Sequence, residues 1–262
     1  MKKNGFLCTK LIELDKRWRI GAVSYLNTLP FLLGIQQSDI MQRIELVKDY
    51  PAKIAQDLMD GTIDIGLVPV AIIPFLKDPY LVSEYCIGAE GPVASVSIFS
   101  QVPMEEIETV YLDYQSRTSI QLAQILLKNY WKQEVEFIPA SEGYIQKISG
   151  TTAGVIIGDR ALAAISQFTY SFDLAAAWIA HTGLPFVFAT WVANKPIPAE
   201  FMKQFDLANS YGLTHLEEVI AKVPKHETGY DLYKYYTQNI SYQFTADKKK
   251  GMELFLKNLI ID

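Results

Sequence analysis

One stretch near the N-terminus decides the fold: Ile20-Gly21-Ala22-Val23-Ser24-Tyr25-Leu26-Asn27-Thr28-Leu29-Pro30. Its first residues are apolar and predict a buried strand, and its last residues predict the start of a helix near Pro30. Ser24, Tyr25 and Asn27 place a hydroxyl, a phenol and an amide where the strand ends. Ligands of open α/β sheets bind at that end of the strands, so this stretch is a candidate binding loop. The alternative is that Ser24 and Asn27 only cap the helix.

A repeated strand and helix pattern follows this stretch. Residues 44–47 alternate like a second strand, and Pro51 opens a helix that carries its apolar residues on one face. Gly61 stands where a helix commonly ends on a left-handed residue. Residues 63–70 are almost entirely apolar, which is the pattern of a parallel strand buried on both faces. The sequence therefore predicts a β-α-β-α-β order in this part of the chain.

The middle of the chain predicts a second unit of the same kind. It is bounded by two long extended runs, residues 85–99 and 182–193, each with glycine and proline inside it. Between the runs the pattern predicts, in order, a strand at 110–113, a helix at 120–131, a strand at 135–138, a weak helix at 143–148, a strand at 153–157 and a helix at 160–165. After the second run it predicts helices at 199–207, 216–222, 230–239 and 247–259.

Two alternating units joined by two extended crossings predict an α/β fold of two lobes with a ligand cleft between them. We expect the first lobe to comprise residues 18–95 and 193–262. The second lobe is expected to comprise residues 96–192, and residues 1–17 are predicted to be a loose extension. The crossings are expected at Gly91-Pro92 and at Gly183-Leu184-Pro185.

Length, charge and cysteine content exclude several classes of protein. A chain of 262 residues can bury a core without disulfides, and Cys8 and Cys86 fit no redox or metal spacing. The net charge of −5 argues against a nucleic-acid partner, and residues 248–250 indicate a solvated basic helix face. Residues 6–8 form too short an apolar run for a signal peptide, and no run is long enough to cross a bilayer. We expect a cytoplasmic monomer or homodimer with no membrane partner.

The sequence contains no recognisable cofactor or nucleophile pattern. Its histidines are too dispersed for a metal site: His181, His215 and His226. Residues 88–91 lack the spacing and the lysine of a phosphate-binding loop. No nucleophile elbow surrounds Ser95 or Ser97, which are predicted to share one face of a strand, so either could reach a ligand. We therefore predict no metal and no cofactor.

A second candidate site lies at Ser116-Arg117-Thr118-Ser119. Three hydroxyls and a guanidinium there precede a strongly patterned helix, whose free N–H groups and dipole favour an anion. The alternative is that Thr118 or Ser119 is only the helix cap and that Arg117 pairs with a surface acid. Asp159 also precedes a helix, and we assign it a capping role because an acidic residue suits a helix start but not an anionic ligand.

Six motifs together resemble the chorismate dehydratase family of the futalosine route to menaquinone. They follow the family's order from about Arg19 to Trp191, whereas the C-terminal third matches only as generic helix. The motifs are Val23-Ser24-Tyr25-Leu26-Asn27-Thr28-Leu29-Pro30, Asp64-Ile65-Gly66-Leu67-Val68-Pro69, Gly91-Pro92-Val93-Ala94-Ser95-Val96, Ser116-Arg117-Thr118-Ser119, Ile157-Gly158-Asp159-Arg160-Ala161-Leu162 and Thr182-Gly183-Leu184-Pro185-Phe186-Val187-Phe188-Ala189.

This resemblance implies a type 2 periplasmic-binding-protein fold and the dehydration of chorismate to 3-[(1-carboxyvinyl)oxy]benzoate. It implies that Asn27 and Ser95 are the catalytic polar pair. Asn27 would hold the departing hydroxyl or the ring carboxylate, and Ser95 would donate a hydrogen bond to negative charge developing on that carboxylate. The residues expected to bind substrate are Ser24, Tyr25, Ser116, Arg117, Thr118 and Ser119.

No side chain in the matched motifs is an obvious general base. We therefore hypothesise that the substrate's own enolpyruvyl carboxylate takes the ring proton. Three alternatives stay open from the sequence. They are a solute-binding protein of the same fold, which would need export, the related 1,4-dihydroxy-6-naphthoate synthase, which would be expected to use a histidine base, and a ligand sensor without catalysis.

Overall fold

The first strand, β1 (Trp18–Val23), lies between two parallel neighbours, β2 (Ile44–Asp49) and β3 (Ile65–Pro69). Helices α1 (Leu29–Gln37) and α2 (Pro51–Met59) connect them, together with 3₁₀ turns at Leu26–Thr28 and Asp39–Arg43. The β-α-β-α-β order predicted from the sequence is confirmed, and Gly61 takes the predicted left-handed conformation with φ of 70°. The computed structural model describes residues 17–224 and 229–259. Residues 1–16, and with them the predicted loose extension, fall outside that range, as does His226.

A six-stranded sheet forms around these strands in the order β11-β4-β10-β3-β1-β2. The added strands β4 (Tyr80–Ala89), β10 (Phe186–Ala193) and β11 (Ser241–Gln243) are antiparallel to their neighbours. The chain thus re-enters this sheet at Phe186, because β10 fills the place between β3 and β4. The predicted second lobe, residues 96–192, included most of β10. The strand pairing corrects this boundary, because β10 belongs to the first sheet.

A five-stranded sheet forms the second layer in the order β7-β6-β8-β5-β9. Its strands are β5 (Val96–Ser100), β6 (Thr109–Leu112), β7 (Glu136–Pro139), β8 (Thr152–Ile157) and β9 (Tyr170–Asp173). The short strands β9 and β11 are additions to the elements predicted from sequence. Residues 90–95 lead from the first sheet to the second, and residues 183–185 precede the return.

The remaining helices cover both sheets. They are α3 (Thr118–Leu126), α4 (Gly158–Ala164), α5 (Leu174–Thr182), α6 (Ala199–Thr214), α7 (Leu216–Ala221), α8 (Leu232–Lys234) and α9 (Ala246–Lys257). Shorter turns of 3₁₀ geometry occur at Val70–Phe75, Met104–Glu106 and Tyr144–Lys147, and π turns at Leu127–Trp131 and Tyr235–Asn239. In residues 17–224 and 229–259, no helix combines the length and apolar character that crossing a bilayer requires.

Close packing of α6 on α1 fixes the helix that follows the candidate binding loop. A Cβ added at Gly212 would lie 1.7 Å from the carbonyl oxygen of Pro30, and one added at Gly34 would lie 1.8 Å from that of Ala208. Only glycine permits this approach of two backbones. Phe31 on α1 also packs on Trp191 of β10. The start of α1, and the loop before it, is therefore held rigidly against the first sheet.

Candidate active site

A cleft between the two sheets collects most of the predicted site residues. It encloses about 610 Å³ of empty space, counted with its opening to solvent. Six of the predicted residues line it: Tyr25, Asn27, Ser95, Ser116, Thr118 and Ser119. Apolar side chains that include Leu67, Phe188 and Ile240 line the rest. A largely apolar cavity with a few convergent polar groups is the usual form of a small-molecule site.

Ser24 and Arg117 are the two predicted residues that do not line this cleft. Both are exposed. The side chain of Arg117 borders a separate surface groove with Ile120 and Phe75. Arg117 turns away because it stands directly before α3, whose next residues, from Thr118, face the cleft. A role for these two residues in binding stays a prediction.

The Asn27 side of the cleft is built on the 3₁₀ turn Leu26–Thr28. The Thr28 hydroxyl donates to Asn27 Oδ1 at 3.1 Å. From the C-terminal part of the chain, Tyr242 donates to the Asn27 carbonyl at 2.9 Å and Tyr236 donates to the Leu26 carbonyl at 3.0 Å. No side chain caps α1. The alternative of a mere helix cap for Ser24 and Asn27 is therefore wrong.

Ser95 lies in the crossing from the first sheet to the second. Ala94 before it is left-handed, with φ of 62°, and its N–H donates to the carboxylate of Asp173 at 2.8 Å. This bend turns Ser95 into the cleft, where its Oγ accepts a 2.8 Å hydrogen bond from the hydroxyl of Tyr235. Ser97 lies within β5, is buried, and is not among the lining residues. The shared strand face predicted for Ser95 and Ser97 is therefore not formed, because Ser95 precedes the strand.

The start of α3 contributes the hydroxyls of the opposite wall. Ser116 Oγ accepts from the N–H of Ser119 at 2.9 Å, so Ser116 satisfies the first turn of the helix. Thr118 Oγ1 accepts from the N–H of Ala71, in the first-sheet region, at 3.2 Å. The alternative in which Thr118 or Ser119 is only the cap is not what the structure has. Both side chains border the cleft at a helix start, where an anion is favoured.

Tyr25 and Gln115 close the cleft from opposite sides. The Tyr25 hydroxyl donates to Gln115 Oε1 at 2.5 Å, and Arg160 donates to the same oxygen at 2.9 Å. Arg160 is in turn held by the buried carboxylate of Asp113 at 2.8 Å. Burial raises the pKa of Tyr25, and the nearby guanidinium of Arg160 offsets part of that rise. Tyr25 therefore stays a protonated donor between the two sheets.

Asp159 makes a further contact between the sheets. Its carboxylate accepts from the N–H of Leu26 at 3.1 Å, at the start of the turn that carries Asn27. No side-chain cap bond forms at its own helix, α4. The capping role assigned to Asp159 from the sequence is therefore corrected. The capping rule considers only neighbouring residues, so it could not predict that Asp159 binds Leu26, which is 133 residues away in the chain.

The polar side chains that line the cleft are uncharged. In the described ranges, its lining contains no carboxylate, imidazole or amine side chain. Burial also raises the pKa of Tyr235, and its hydrogen bond to Ser95 offsets part of that rise. No group of three or more His, Cys, Asp or Glu among residues 17–224 and 229–259 is placed to hold a metal ion. The arrangement suits a small anion bound by hydroxyl, amide and backbone N–H groups.

Two histidines lie away from this cleft. The ring of His181, at the end of α5, packs on Tyr130 with centroids 5.7 Å apart. The ring of His215 stacks on Tyr211 at 3.9 Å, and its Nδ1 lies 2.8 Å from the Tyr211 carbonyl. Neither residue belongs to the cleft lining.

Sequence reasoning missed the polar groups that come from outside the matched motifs. They are Gln115, Tyr235, Tyr236 and Tyr242. The three tyrosines belong to a segment, residues 230–242, in which residues 230–239 were predicted only as a generic helix and Tyr242 was assigned to no element. A signal was present, because this segment contains five tyrosines, and a buried tyrosine carries a polar tip that needs a partner.

Comparison with known proteins agrees with this architecture. The family model for menaquinone biosynthesis matches residues 18–259. A chorismate dehydratase of Thermus thermophilus is 24% identical over 265 residues, which cover 92% of this chain and 94% of the relative. A chorismate dehydratase of Campylobacter jejuni is 25% identical over 244 residues, covering 90% and 95%.

Solved structures share the fold. A protein from Archaeoglobus fulgidus has a TM-score of 0.74 at 10% identity and covers 92% of this chain and 96% of that chain. The periplasmic aliphatic sulphonate binding protein of Escherichia coli has a TM-score of 0.57 at 14% identity, with 93% and 92% covered. The two-lobed periplasmic-binding-protein fold predicted from the sequence is confirmed.

Proposed function

We propose that this chain, which belongs to the menaquinone biosynthesis family, removes water from chorismate to give 3-[(1-carboxyvinyl)oxy]benzoate. Two relatives of nearly full coverage carry the name chorismate dehydratase, and this supports the assignment. The cleft supports it as well, since its hydroxyl and amide donors match a small dicarboxylate. We place the reaction in the cytoplasm, in the futalosine route, with no cofactor.

The reaction asks little of the protein beyond orientation. Dehydration breaks one C–O bond and one C–H bond of the ring, releases the hydroxyl and the proton as water, and leaves an aromatic ring. The products therefore lie far downhill. Holding the substrate in a reactive geometry and stabilising the charge that develops supply the catalysis.

Asn27 and Ser95 are assigned the polar roles in the transition state. Asn27 holds the departing hydroxyl or the ring carboxylate, and Ser95 donates to the negative charge that develops on that carboxylate. The hydroxyls of Ser116, Thr118 and Ser119 hold a substrate carboxylate at the start of α3. A single preorganised donor of this kind contributes about 10²–10³ in kcat.

The ring proton goes to the substrate's own enolpyruvyl carboxylate in this proposal. The observation that carries it is the lining of the cleft, which in the part of the chain that is described supplies no carboxylate, imidazole or amine. Because these are the usual general bases, the group that takes the ring proton is assigned to the substrate. A chorismate analogue without that carboxylate is expected to bind and to stay hydrated. Dehydration of the analogue at an unreduced rate would contradict the substrate-base step.

One assay tests the assignment as a whole. The purified protein is incubated with chorismate alone, and the product is examined by mass spectrometry for the loss of one water. Ser95→Ala is expected to lower kcat by about 10²–10³, because a donor aimed at the developing charge is removed. Ser97→Ala is the matched control, since that serine is buried two residues away and does not line the cleft.

Three outcomes would count against parts of the proposal. Absence of turnover by the folded wild-type protein would remove the dehydratase assignment, and binding of chorismate without turnover would favour a binding protein of the same fold. Equal losses in Ser95→Ala and Ser97→Ala would remove the assignment of Ser95. The histidine base expected of a 1,4-dihydroxy-6-naphthoate synthase is not favoured by His181 or His215, which lie outside the cleft lining.

A further inference from the structure

The hydroxyl of Tyr235 is a buried group that contacts Ser95, one of the two side chains assigned to the reaction. Tyr235 is 0% exposed, and its hydroxyl donates to Ser95 Oγ at 2.8 Å. None of the matched sequence motifs contains this residue. Its contact places one phenol behind a hydroxyl that faces the cleft.

We propose that Tyr235 is a positioning residue that orients the Ser95 hydroxyl toward the substrate, an inference that rests on the proposed dehydration. A serine hydroxyl carries one hydrogen. Because Ser95 Oγ accepts from Tyr235, the hydrogen of Ser95 is left to point at another acceptor. Ser95 lines the cleft, so that acceptor is an oxygen of the bound substrate.

Burial keeps Tyr235 in the form that this role needs. The loss of solvation raises the pKa of its hydroxyl, and the nearby carboxylate of Asp159 adds to the rise, while the hydrogen bond to Ser95 offsets part of it. The phenol is therefore protonated at physiological pH. It acts as a fixed donor to Ser95 and not as a base.

The backbone around Tyr235 is anchored to the crossing that carries Ser95. Tyr235 opens the π turn Tyr235–Asn239, a geometry that recurs at functional sites. Asn239, at the end of the turn, donates to the carbonyl of Pro92 at 2.9 Å and accepts from the hydroxyl of Tyr230 at 3.1 Å. Pro92 lies three residues before Ser95. The turn and the crossing are thus held together, and the Tyr235 to Ser95 distance is fixed.

The substitution Tyr235→Phe tests this inference. It removes the hydroxyl and keeps the packed ring. We expect kcat for chorismate to fall about 10- to 100-fold, with KM within about threefold, because orientation matters in the transition state more than in binding. Tyr211→Phe is the control: its hydroxyl donates to Gln37 at the surface, and the residue does not line the cleft.

The double variant Ser95→Ala/Tyr235→Phe separates positioning from stability. If Tyr235 acts through Ser95, the second substitution is expected to cost little beyond Ser95→Ala alone. Each variant is assayed at a temperature at which its circular dichroism melt shows the folded state. A kcat loss in Tyr235→Phe no greater than in Tyr211→Phe, fully multiplicative losses in the double variant, or failure of Tyr235→Phe to fold would each overturn the inference. Failure of the wild-type protein to dehydrate chorismate would instead remove the proposed function.

Discussion

The two walls of the cleft are built in opposite ways. At the start of α3 the support is mainly local: Ser116 accepts from the N–H of Ser119 three residues on, and only Thr118 is bonded to a distant residue, Ala71. The wall that carries Asn27 and Ser95 depends on distant tyrosines, with Tyr235 reaching Ser95 over 140 residues of sequence and Tyr242 reaching Asn27 over 215. A helix start can bind an anion by local geometry alone, whereas reacting groups need support from a second part of the fold.

Beyond Ser95→Ala and Tyr235→Phe, the largest effect is expected on substrate binding at the start of α3. Thr118→Ala/Ser119→Ala removes two hydroxyls from the cleft, and we expect KM for chorismate to rise about 30-fold, with kcat within about threefold, because a ground-state contact is lost. Steady-state kinetics measures this. The same change is expected to cost about 1–2 kcal/mol of stability, since the N–H of Ala71 loses its acceptor Thr118 Oγ1.

Thr245→Ala is the matched control for this double variant. Thr245 also stands at a helix start, and its side chain accepts from the N–H of Lys248 in α9. We expect it to lower the free energy of unfolding by about 1 kcal/mol and to leave KM unchanged. If Thr118→Ala/Ser119→Ala behaves in the same way, the hydroxyls of α3 serve the helix and not the ligand.

An intermediate effect is expected at the wall that carries Asn27 and Ser95. Tyr242→Phe removes the donor to the Asn27 carbonyl, and both the tyrosine and its hydrogen bond are largely buried. We expect a loss of about 1–2 kcal/mol in the free energy of unfolding, measured by urea denaturation, and a fall in kcat of about threefold. Tyr211→Phe, which loses only a surface bond to Gln37, is expected to change neither quantity. Indistinguishable results for the two variants would contradict the supporting role of Tyr242.

The smallest effect is expected from pH. Burial raises the pKa of Tyr25, Tyr235 and Tyr242, so these phenols stay protonated and the hydrogen bonds they donate persist as pH rises toward 9. With a substrate carboxylate as base, kcat/KM is expected to vary by less than about twofold between about pH 6.5 and about pH 9. A pH–rate profile with a midpoint near 7 would reveal a titrating protein group and contradict the substrate-base step.

Much of the fold followed from local pattern. The apolar run at residues 63–70 predicted β3, and Pro51 and Gly61 predicted the two ends of α2. A buried strand and the ends of a helix each have a short-range sequence pattern. The crossing back to the first sheet was predicted at residues 183–185, but the lobe boundary was drawn at residue 193, after most of β10. Strand β10 is apolar in either sheet, so its composition did not indicate its partners.

The candidate site was also predicted in part and missed in part. Tyr25, Asn27, Ser95 and the hydroxyls at the start of α3 were identified from the sequence and its resemblance to a family, and they meet in one cleft. Asp159 was assigned to its own helix and in the structure binds the N–H of Leu26. The tyrosines of residues 230–242 were missed, since nothing within that segment indicates which distant atom each hydroxyl contacts.

The sequence by itself determined the order of strands and helices and the polar groups that end them, because hydrophobic periodicity and capping act over a few residues. Only the tertiary structure decided which polar atoms meet: Tyr235 with Ser95, Asp159 with Leu26 and Tyr25 with Gln115. The physical reason is that each of these hydrogen bonds forms where two distant elements pack together. A buried donor must find a partner there, and the packing of the two sheets selects which one.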